Sequence, residues 1–340
     1  MNDDIDFSDI PTDSAIIDVR SPAEFHQGHI PAAINIPLFS DRERAEIGTI
    51  YKQESKELAL SRGREIAEPK VADLIARARA LGNKSLLVHC WRGGMRSSEV
   101  SRVLREAGLA VQRLSGGYKG YRRAIREFID RPRSIIVLGG KTGSGKTAIL
   151  LGLRDLGLQV IDLEGLAHHK GSVFGHINER PQPTTEQFEN NLHQEMAPLD
   201  PAKPLLLENE SHIIGSVHLP PPLLLQMRAA PLLMVEVTLS ARVSRLVKDY
   251  HTRDREQLIT AARRIEKKLT TAKLAQVIEF LEADDFAGAC EILLGYYDYF
   301  YNRGLEKRRN QEIFSLAISG TDLKADTELV QAKVAKISGG

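Results

Sequence analysis

Two cysteines and one tryptophan stand among 340 residues. So few cysteines exclude a disulfide framework, which needs several pairs at regular spacing. Cys90 and Cys290 therefore read as free thiols. An excess of charge is also missing: 46 Lys/Arg face 45 Asp/Glu, a formal net of +1. That balance argues neither for nor against a nucleic-acid partner. No run of about 18 apolar residues occurs, because Arg228 and Glu236 interrupt the richest region, so no membrane span is expected. The opening residues, Met1-Asn2-Asp3-Asp4-Ile5-Asp6, are acidic and lack the pattern of a secretory signal. The expected location is the cytoplasm. Internal repeats and low-complexity tracts are missing too.

What is present is ordinary globular material. Hydrophobic residues make up 42% and charged residues 27%, enough for real cores, and the length suggests two domains. The charge is unevenly spread. Residues 1–68 hold 7 Lys/Arg against 14 Asp/Glu, while residues 92–133 hold 11 against 4. A basic segment of that size can attract an RNA backbone, or it can be a solvated surface.

The most specific signal is Gly140-Lys141-Thr142-Gly143-Ser144-Gly145-Lys146-Thr147. An apolar run from Ser134 to Gly139 precedes it, and a helical pattern opens at Thr147. Strand, glycine-rich loop and helix in that order match the phosphate-binding pattern G-x-x-x-x-G-K-[ST]. The glycines let several N–H groups point at one anion, and the helix N-terminus adds partial positive charge. Gly140, Gly143, Ser144 and Gly145 would form the cradle, Lys146 would neutralise outer phosphates, and Thr147 could hold Mg²⁺. The motif certifies a phosphate and does not say whose.

A second strand–loop–helix junction lies upstream. The run Ser85-Leu86-Leu87-Val88-His89 delivers Cys90-Trp91-Arg92-Gly93-Gly94-Met95-Arg96-Ser97, and a helix follows. A cysteine there faces backbone N–H groups and a helix N-terminus, both of which lower a thiol pKa and bind anions. Arg96 can fork onto an oxyanion, with Arg92, Gly93 and Gly94 as further binding groups. Cys290, in a helical apolar pattern without basic neighbours, reads as core.

Around these loops the chain alternates strand and helix. Strands are expected at 14–19, 34–37, 85–89 and 111–114, and helices at 71–81 and 118–129. Residues 40–68 are too long for a simple connection and read as helical or as a substrate-facing insertion. Residues 130–133 suit a linker. Beyond the phosphate loop come strands at 158–164, ending in the acid Asp162, and at 204–211, with Glu208 at its end. Either acid could serve Mg²⁺ or water. A strand at 232–237 follows. Arg242, Arg245 and Lys248 then fall on one helix face and could clamp phosphates as a lid or simply be wet. His168 and His169 read as a polar loop with Lys170, since no third ligand is suitably spaced for a metal. Residues 255–301 look helical and end in Tyr296, Tyr297, Tyr299, Phe300 and Tyr301. Arg303, Lys307, Arg308 and Arg309 lie beside them, a mixture that suits either base stacking or a core helix with a wet end. A final strand is expected near 312–318 and a helix at 322–336. The expected domains are 1–130, 131–252 and a mostly helical 253–340 that completes the second.

Several motifs carry a resemblance. Asp18-Val19-Arg20-Ser21-Pro22-Ala23-Glu24-Phe25, Gly28-His29-Ile30-Pro31-Ala32-Ala33, the Cys90 loop and Leu114-Ser115-Gly116-Gly117 resemble a rhodanese domain. A rhodanese-like domain followed by a P-loop NTPase-like domain with a helical extension, an α/β architecture throughout, resembles the bacterial tRNA 2-selenouridine synthase family. Asp162-Leu163-Glu164-Gly165-Leu166-Ala167-His168-His169-Lys170-Gly171-Ser172 adds to that likeness. One departure stands out. Common rhodaneses carry C-x-x-G-x-R, whereas here Arg96 lies six residues after Cys90 and the loop equally fits the cysteine-phosphatase signature.

The resemblance implies a transferase that turns wobble 2-thiouridine of tRNA into 2-selenouridine. It implies geranyl diphosphate and selenophosphate as co-substrates: the sulfur is geranylated, then the S-geranyl group is exchanged for selenium. Cys90 would take selenium from selenophosphate while Arg96 holds the phosphate. A selenophosphate-producing enzyme is an implied partner. Two other readings stay open: an ATP-dependent tRNA sulfurtransferase or kinase fused to a rhodanese, and a cysteine-phosphatase-like first domain. The oligomeric state is not legible.

Overall fold

The computed structural model describes residues 4–11, 13–82, 85–250, 254–306 and 312–339. The chain divides into two compact units. The first comprises Met1–Phe128 with Glu189–His193, and the second Ile129–Phe188 with Gln194–Gly340.

The first unit is built on a five-stranded, wholly parallel sheet. Its order is Asp4–Ile5, Val111–Leu114, Leu86–His89, Ala15–Asp18, Ile34–Asn35. Side chains of a strand alternate between faces. Leu86 and Val88 accordingly join Leu38, Phe39, Leu74, Val100 and Leu104 on one face. Leu87 joins Leu114, Tyr118, Tyr121 and Ile125 on the other. Burying each such side chain contributes roughly 1.5–3 kcal/mol. The opening strand Asp4–Ile5 has no periodicity of its own to betray it; it forms because the edge at Val111–Leu114 offers partners. Residues 40–68 resolve into helices, Asp41–Gln53 and Lys56–Ala67, each opened by a serine cap. Pro22 opens the helix Pro22–Gln27, where Ser21 and Glu24 form a capping box.

One buried ion pair ties this unit together. Arg20 Nη2 donates to Asp18 Oδ2 at 2.6 Å and Arg20 Nε to Asp18 Oδ1 at 3.0 Å, with both residues fully buried. The guanidinium also donates to the Gly28 carbonyl at 2.6 Å and lies 3.7 Å from the Tyr118 ring centroid. So enclosed a charge needs that many partners.

The second unit holds another five-stranded parallel sheet, ordered Ile313–Ala317, Leu232–Glu236, Ile135–Gly140, Leu205–Glu208, Gln159–Ile161. The phosphate-loop strand lies at its centre. Ile149, Leu150 and Leu153 of the helix Lys146–Asp155 and Val330 and Val334 of the helix Leu323–Ser338 pack on this sheet. A second core gathers the helices Leu239–Tyr250, Arg255–Arg263, Thr271–Glu282 and Phe286–Glu306. Cys290 sits inside it, 1% exposed, and burial pushes its thiol up to about 12. A small hairpin, Ile213–Ile214 with Val217–His218, escaped the sequence reading because two-residue strands have no measurable period. Among the described residues no helix is long and apolar enough to cross a membrane.

Candidate functional sites in the two units

In the first unit the strand Leu86–His89 ends directly at Cys90, and the helix Met95–Glu106 begins five residues later. The loop between is pinned from behind. Tyr118 N donates to the Cys90 carbonyl at 2.9 Å and Lys119 N to the Trp91 carbonyl at 2.8 Å. Gly117 allows that approach: its φ is +57°, and a Cβ there would meet Gly93 N at 2.3 Å.

Cys90 is 4% exposed. Burial alone would raise its pKa. A hydrogen bond with the Ser97 hydroxyl and those from the N–H groups of Ser97 and Arg92, with the charge of Arg96, outweigh burial and bring the thiol below its ordinary value. Ser97 Oγ lies 3.3 Å from the sulfur. Arg96 is held as a fork by Glu24: Nη1 donates to Oε2 at 2.6 Å and Nη2 to Oε1 at 3.2 Å. Burial would raise the Glu24 carboxyl, but Arg96 draws it below the usual range. Arg92 and Gly94 are exposed and Gly93 is half-buried. A hollow of about 1310 Å³ opens beside Gly93, Gly94 and Arg96, walled by Leu38, Phe39, Ile47, Ala59 and Leu60. Ser97 and Glu24 were absent from the sequence-based site. Ser97 follows the signature arginine directly, and Glu24 reaches it only through folding.

In the second unit the strand Ile135–Gly140 runs into the phosphate loop, and the helix Lys146–Asp155 leaves it. Gly145 takes φ +82° at the helix start. Lys146 Nζ donates to the Gly140 carbonyl at 2.8 Å, and Thr147 Oγ1 donates to Glu164 Oε2 at 2.9 Å. Gly140 N donates to the Tyr301 hydroxyl at 2.9 Å. The Ser144 hydroxyl is buried without a partner.

Four acids surround the loop. Asp162 caps the helix Leu163–Ala167 by accepting from Gly165 N at 2.7 Å. Glu208 is fully buried, and its Oε1 accepts from Glu164 N at 2.6 Å. Burial, with Asp162 near, pushes its carboxyl well above the ordinary range. Burial also raises Glu164, and it takes Glu210, beside Glu164, to about 8. Glu164 and Glu210 were missed because nothing in their local sequence separates them from surface acids.

Gly140, Gly143, Gly145, Lys146, Thr147, Asp162, Glu164, Glu210 and Arg245 line one cleft of about 1670 Å³. Phe174, Leu246, Tyr297, Phe300, Tyr301 and Leu305 line the same cleft, with charged residues such as Arg228, Asp249 and Arg303. The two lid candidates part company. Arg245 lines the cleft, its guanidinium against Gly145 and donating to the Gly320 carbonyl at 2.7 Å. Arg242 is buried and turned onto Asp298 at 2.7 and 2.8 Å, with a further bond to the Thr142 carbonyl at 3.2 Å. It props the loop from behind, and Lys248 is exposed.

The aromatic cluster divides as well. Tyr301 braces the phosphate loop, Tyr297 packs against the helical core, and Tyr299 and Phe300 are exposed. Lys307, Arg308 and Arg309 lie outside the described residues. His168 Nδ1 is 2.8 Å from the Pro181 carbonyl, His169 is buried, and Lys170 pairs with Glu179 at 3.2 Å. No group of three or more His, Cys, Asp and Glu gathers as a metal site among the described residues.

A thiol-bearing anion loop on one parallel sheet and a phosphate loop on the next define a rhodanese-like domain followed by a P-loop domain. The chain belongs to the tRNA 2-selenouridine synthase family: the model of that family's AAA domain matches residues 133–321, and a rhodanese-like domain model matches residues 6–124. A protein of Shewanella halifaxensis (strain HAW-EB4) named tRNA 2-selenouridine synthase is 40% identical over 255 residues, 70% of this chain and 66% of that one. One of the same name from Bdellovibrio bacteriovorus is 40% identical over 251 residues, 69% of this chain and 64% of that one. The alignments thus span just under two thirds of these relatives. A solved N-terminal domain from Clostridium difficile 630 aligns at 35% identity and a TM-score of 0.35, over 36% of this chain and 98% of its own.

Proposed function

We propose that the protein converts 2-thiouridine at the wobble position of tRNA into 2-selenouridine in the cytoplasm, in two stages with separate sites. In the first stage the P-loop cleft binds geranyl diphosphate and transfers the geranyl group to the thiocarbonyl sulfur. In the second, selenium from selenophosphate displaces the S-geranyl group at the Cys90 loop. The observation that carries the reading is a cleft whose lining holds both the phosphate cradle and Phe174, Leu246, Tyr297 and Phe300. That pairing suits an allylic diphosphate, whose leaving group needs charge stabilisation and whose tail needs cover. The apolar hollow beside Arg96 offers the same cover to the geranyl group in the second stage.

Lys146 and the loop N–H groups stabilise the departing diphosphate. Thr147 and Glu164 are hard oxygen donors of the kind Mg²⁺ takes, and they would hold that ion against the diphosphate oxygens. The P-loop pattern by itself favours nucleotide hydrolysis, the rival reading. Glu208 weighs against it: the strand-end carboxylate that would place Mg²⁺ or water is fully buried and spends Oε1 on Glu164 N.

The test supplies purified protein with a 2-thiouridine anticodon stem-loop and geranyl diphosphate. Mass spectrometry should find S-geranyl-2-thiouridine, and added selenophosphate should turn it into 2-selenouridine with geranylthiol released. Brisk ATP or GTP turnover stimulated by the RNA, with no geranylated species, would sink the reading.

A further inference from the structure

Five residues separate Cys90 from Arg96, and a hydroxyl residue, Ser97, follows at once. The sulfur receives hydrogen bonds from the N–H groups of Arg92 and Ser97, with the Ser97 hydroxyl 3.3 Å away. Arg96 is set as a planar fork by its two bonds to Glu24. A nucleophile at the floor, N–H groups around it and a fork at the rim make a receptor for a tetrahedral phosphoryl group.

Electron balance points the same way. In selenophosphate, selenium is at the selenide level and phosphorus is P(V). If the Cys90 thiolate took selenium directly, an S–Se bond would form, the P–Se bond would break and its electron pair would go to phosphorus. The other product would be phosphite, and a further thiol would then be needed to free selenium from the sulfur.

We propose that the Cys90 thiolate attacks phosphorus, so that the first unit works through a phosphocysteine. This rests on the selenium-exchange reading above. The selenium of selenophosphate first adds to C2 of S-geranyl-2-thiouridine. The C2–Se bond forms, the C2–S bond breaks and geranylthiolate leaves. Cys90 then attacks the phosphorus now attached through selenium. The S–P bond forms, the P–Se bond breaks and the electron pair stays on selenium, giving 2-selenouridine. Water attacks the phosphocysteine: the P–O bond forms, the S–P bond breaks, the thiolate is restored and phosphate departs with the proton. No oxidant or reductant is consumed. Selenium conjugated to the pyrimidine leaves readily as an anion, so no acid is required, and Glu24, the carboxylate at the rim, is committed to Arg96. Ser97 stabilises the thiolate when it departs in the final step.

The test incubates full-length protein with an S-geranyl-2-thiouridine stem-loop and selenophosphate labelled with radioactive phosphorus. The reaction is quenched in alkali and the Cys90 peptide is examined by mass spectrometry. A phosphoryl group on Cys90 is expected. Ser97→Ala should raise the amount of adduct and slow phosphate release by about 10- to 100-fold, the loss of one hydrogen bond to a charged atom. Selenium on Cys90 without phosphorus, or phosphite among the products, overturns the proposal. If 2-selenouridine forms in either case, only this inference falls. If the wild type releases no geranylthiol and forms no 2-selenouridine, the reading beneath it falls as well.

Discussion

The loops at Cys90 and Gly140–Thr147 are the same backbone device used to opposite ends. Each follows a central strand of a parallel sheet, gathers N–H groups and opens a helix. In the first unit the device supports a negative charge of the protein's own: Cys90 is buried, yet its thiol lies below its ordinary value. In the second unit burial pushes the neighbouring carboxylates Glu164, Glu208 and Glu210 up, Glu210 to about 8, which works against negative charge of the protein's own. The difference lies in partners. Around Cys90 the donors and the Arg96 cation outweigh burial, whereas around the three acids burial outweighs Lys146, Thr147 and the Glu164 N–H. An anion loop can therefore activate a nucleophile or clear room for a ligand's charge, and the side chains around it decide which.

The sharpest way to break this division is to disable each loop separately. Cys90→Ala should stop the RNA after geranylation, with the Se-phosphorylated uridine of the phosphocysteine route accumulating in place of 2-selenouridine, and Lys146→Ala should leave it at 2-thiouridine, each step slowed by about 10³-fold or more. Mass spectrometry of the digested RNA reads both. If the two variants stall at one species, the loops do not divide the labour.

Next in size are two glycines that hold the loops. In Gly117→Ala the new Cβ would meet backbone, Gly93 N at 2.3 Å, while φ stays positive. In Gly145→Ala it would meet the Arg245 guanidinium at 2.7 Å, which can swing aside. The expected losses are about 3 kcal/mol or more for Gly117→Ala and about 1–2 kcal/mol for Gly145→Ala. Calorimetry of the full chain should show the lower transition in Gly117→Ala, and the reverse order would mean that the Cys90 loop is not pinned from behind.

Glu210→Gln tests the suppressed charge. The folded carboxyl, at about 8, stands above its ordinary 4.5. Between those values the folded state binds more protons than the unfolded one. The stability from the protonated form is thus present below about pH 4.5 and is lost as pH rises toward 8. Glu210→Gln should match the wild type near pH 4.5 and exceed its Tm by about 2–4 °C at pH 8. Equal Tm values at both pH values would show that Glu210 is not held protonated.

The smallest contrast lies between the two thiols. Iodoacetamide should modify Cys90 with a pH midpoint below the ordinary 9.0. Cys290, at about 12, should stay unmodified until the chain unfolds. Peptide mapping across a pH series separates them, and a Cys90 midpoint above 9.0 would contradict the hydrogen bonds from Ser97 and Arg92.

Both loops, both sheets and most helices were legible in the amino-acid sequence. The reason is local: a strand of alternating or buried apolar residues, a glycine that takes positive φ and a helix start all act within about ten residues. The exceptions are short elements such as Asp4–Ile5, which exist only because a distant edge accepts them. The company each loop keeps was another matter. Arg96 and Glu24 are 72 residues apart, and Gly140 and Tyr301 are 161 apart. No periodicity links such pairs; packing of the core brings them together. Arg242 and Arg245 make the same point: helical spacing placed them on one face, yet only the tertiary structure turned one onto Asp298 and the other into the cleft. The sequence by itself determined that the protein has two anion loops, because backbone conformation is set nearby. Tertiary structure decided which loop lowers the pKa of the group beside it and which sits among acids that are raised, because burial and ion pairs depend on residues far along the chain.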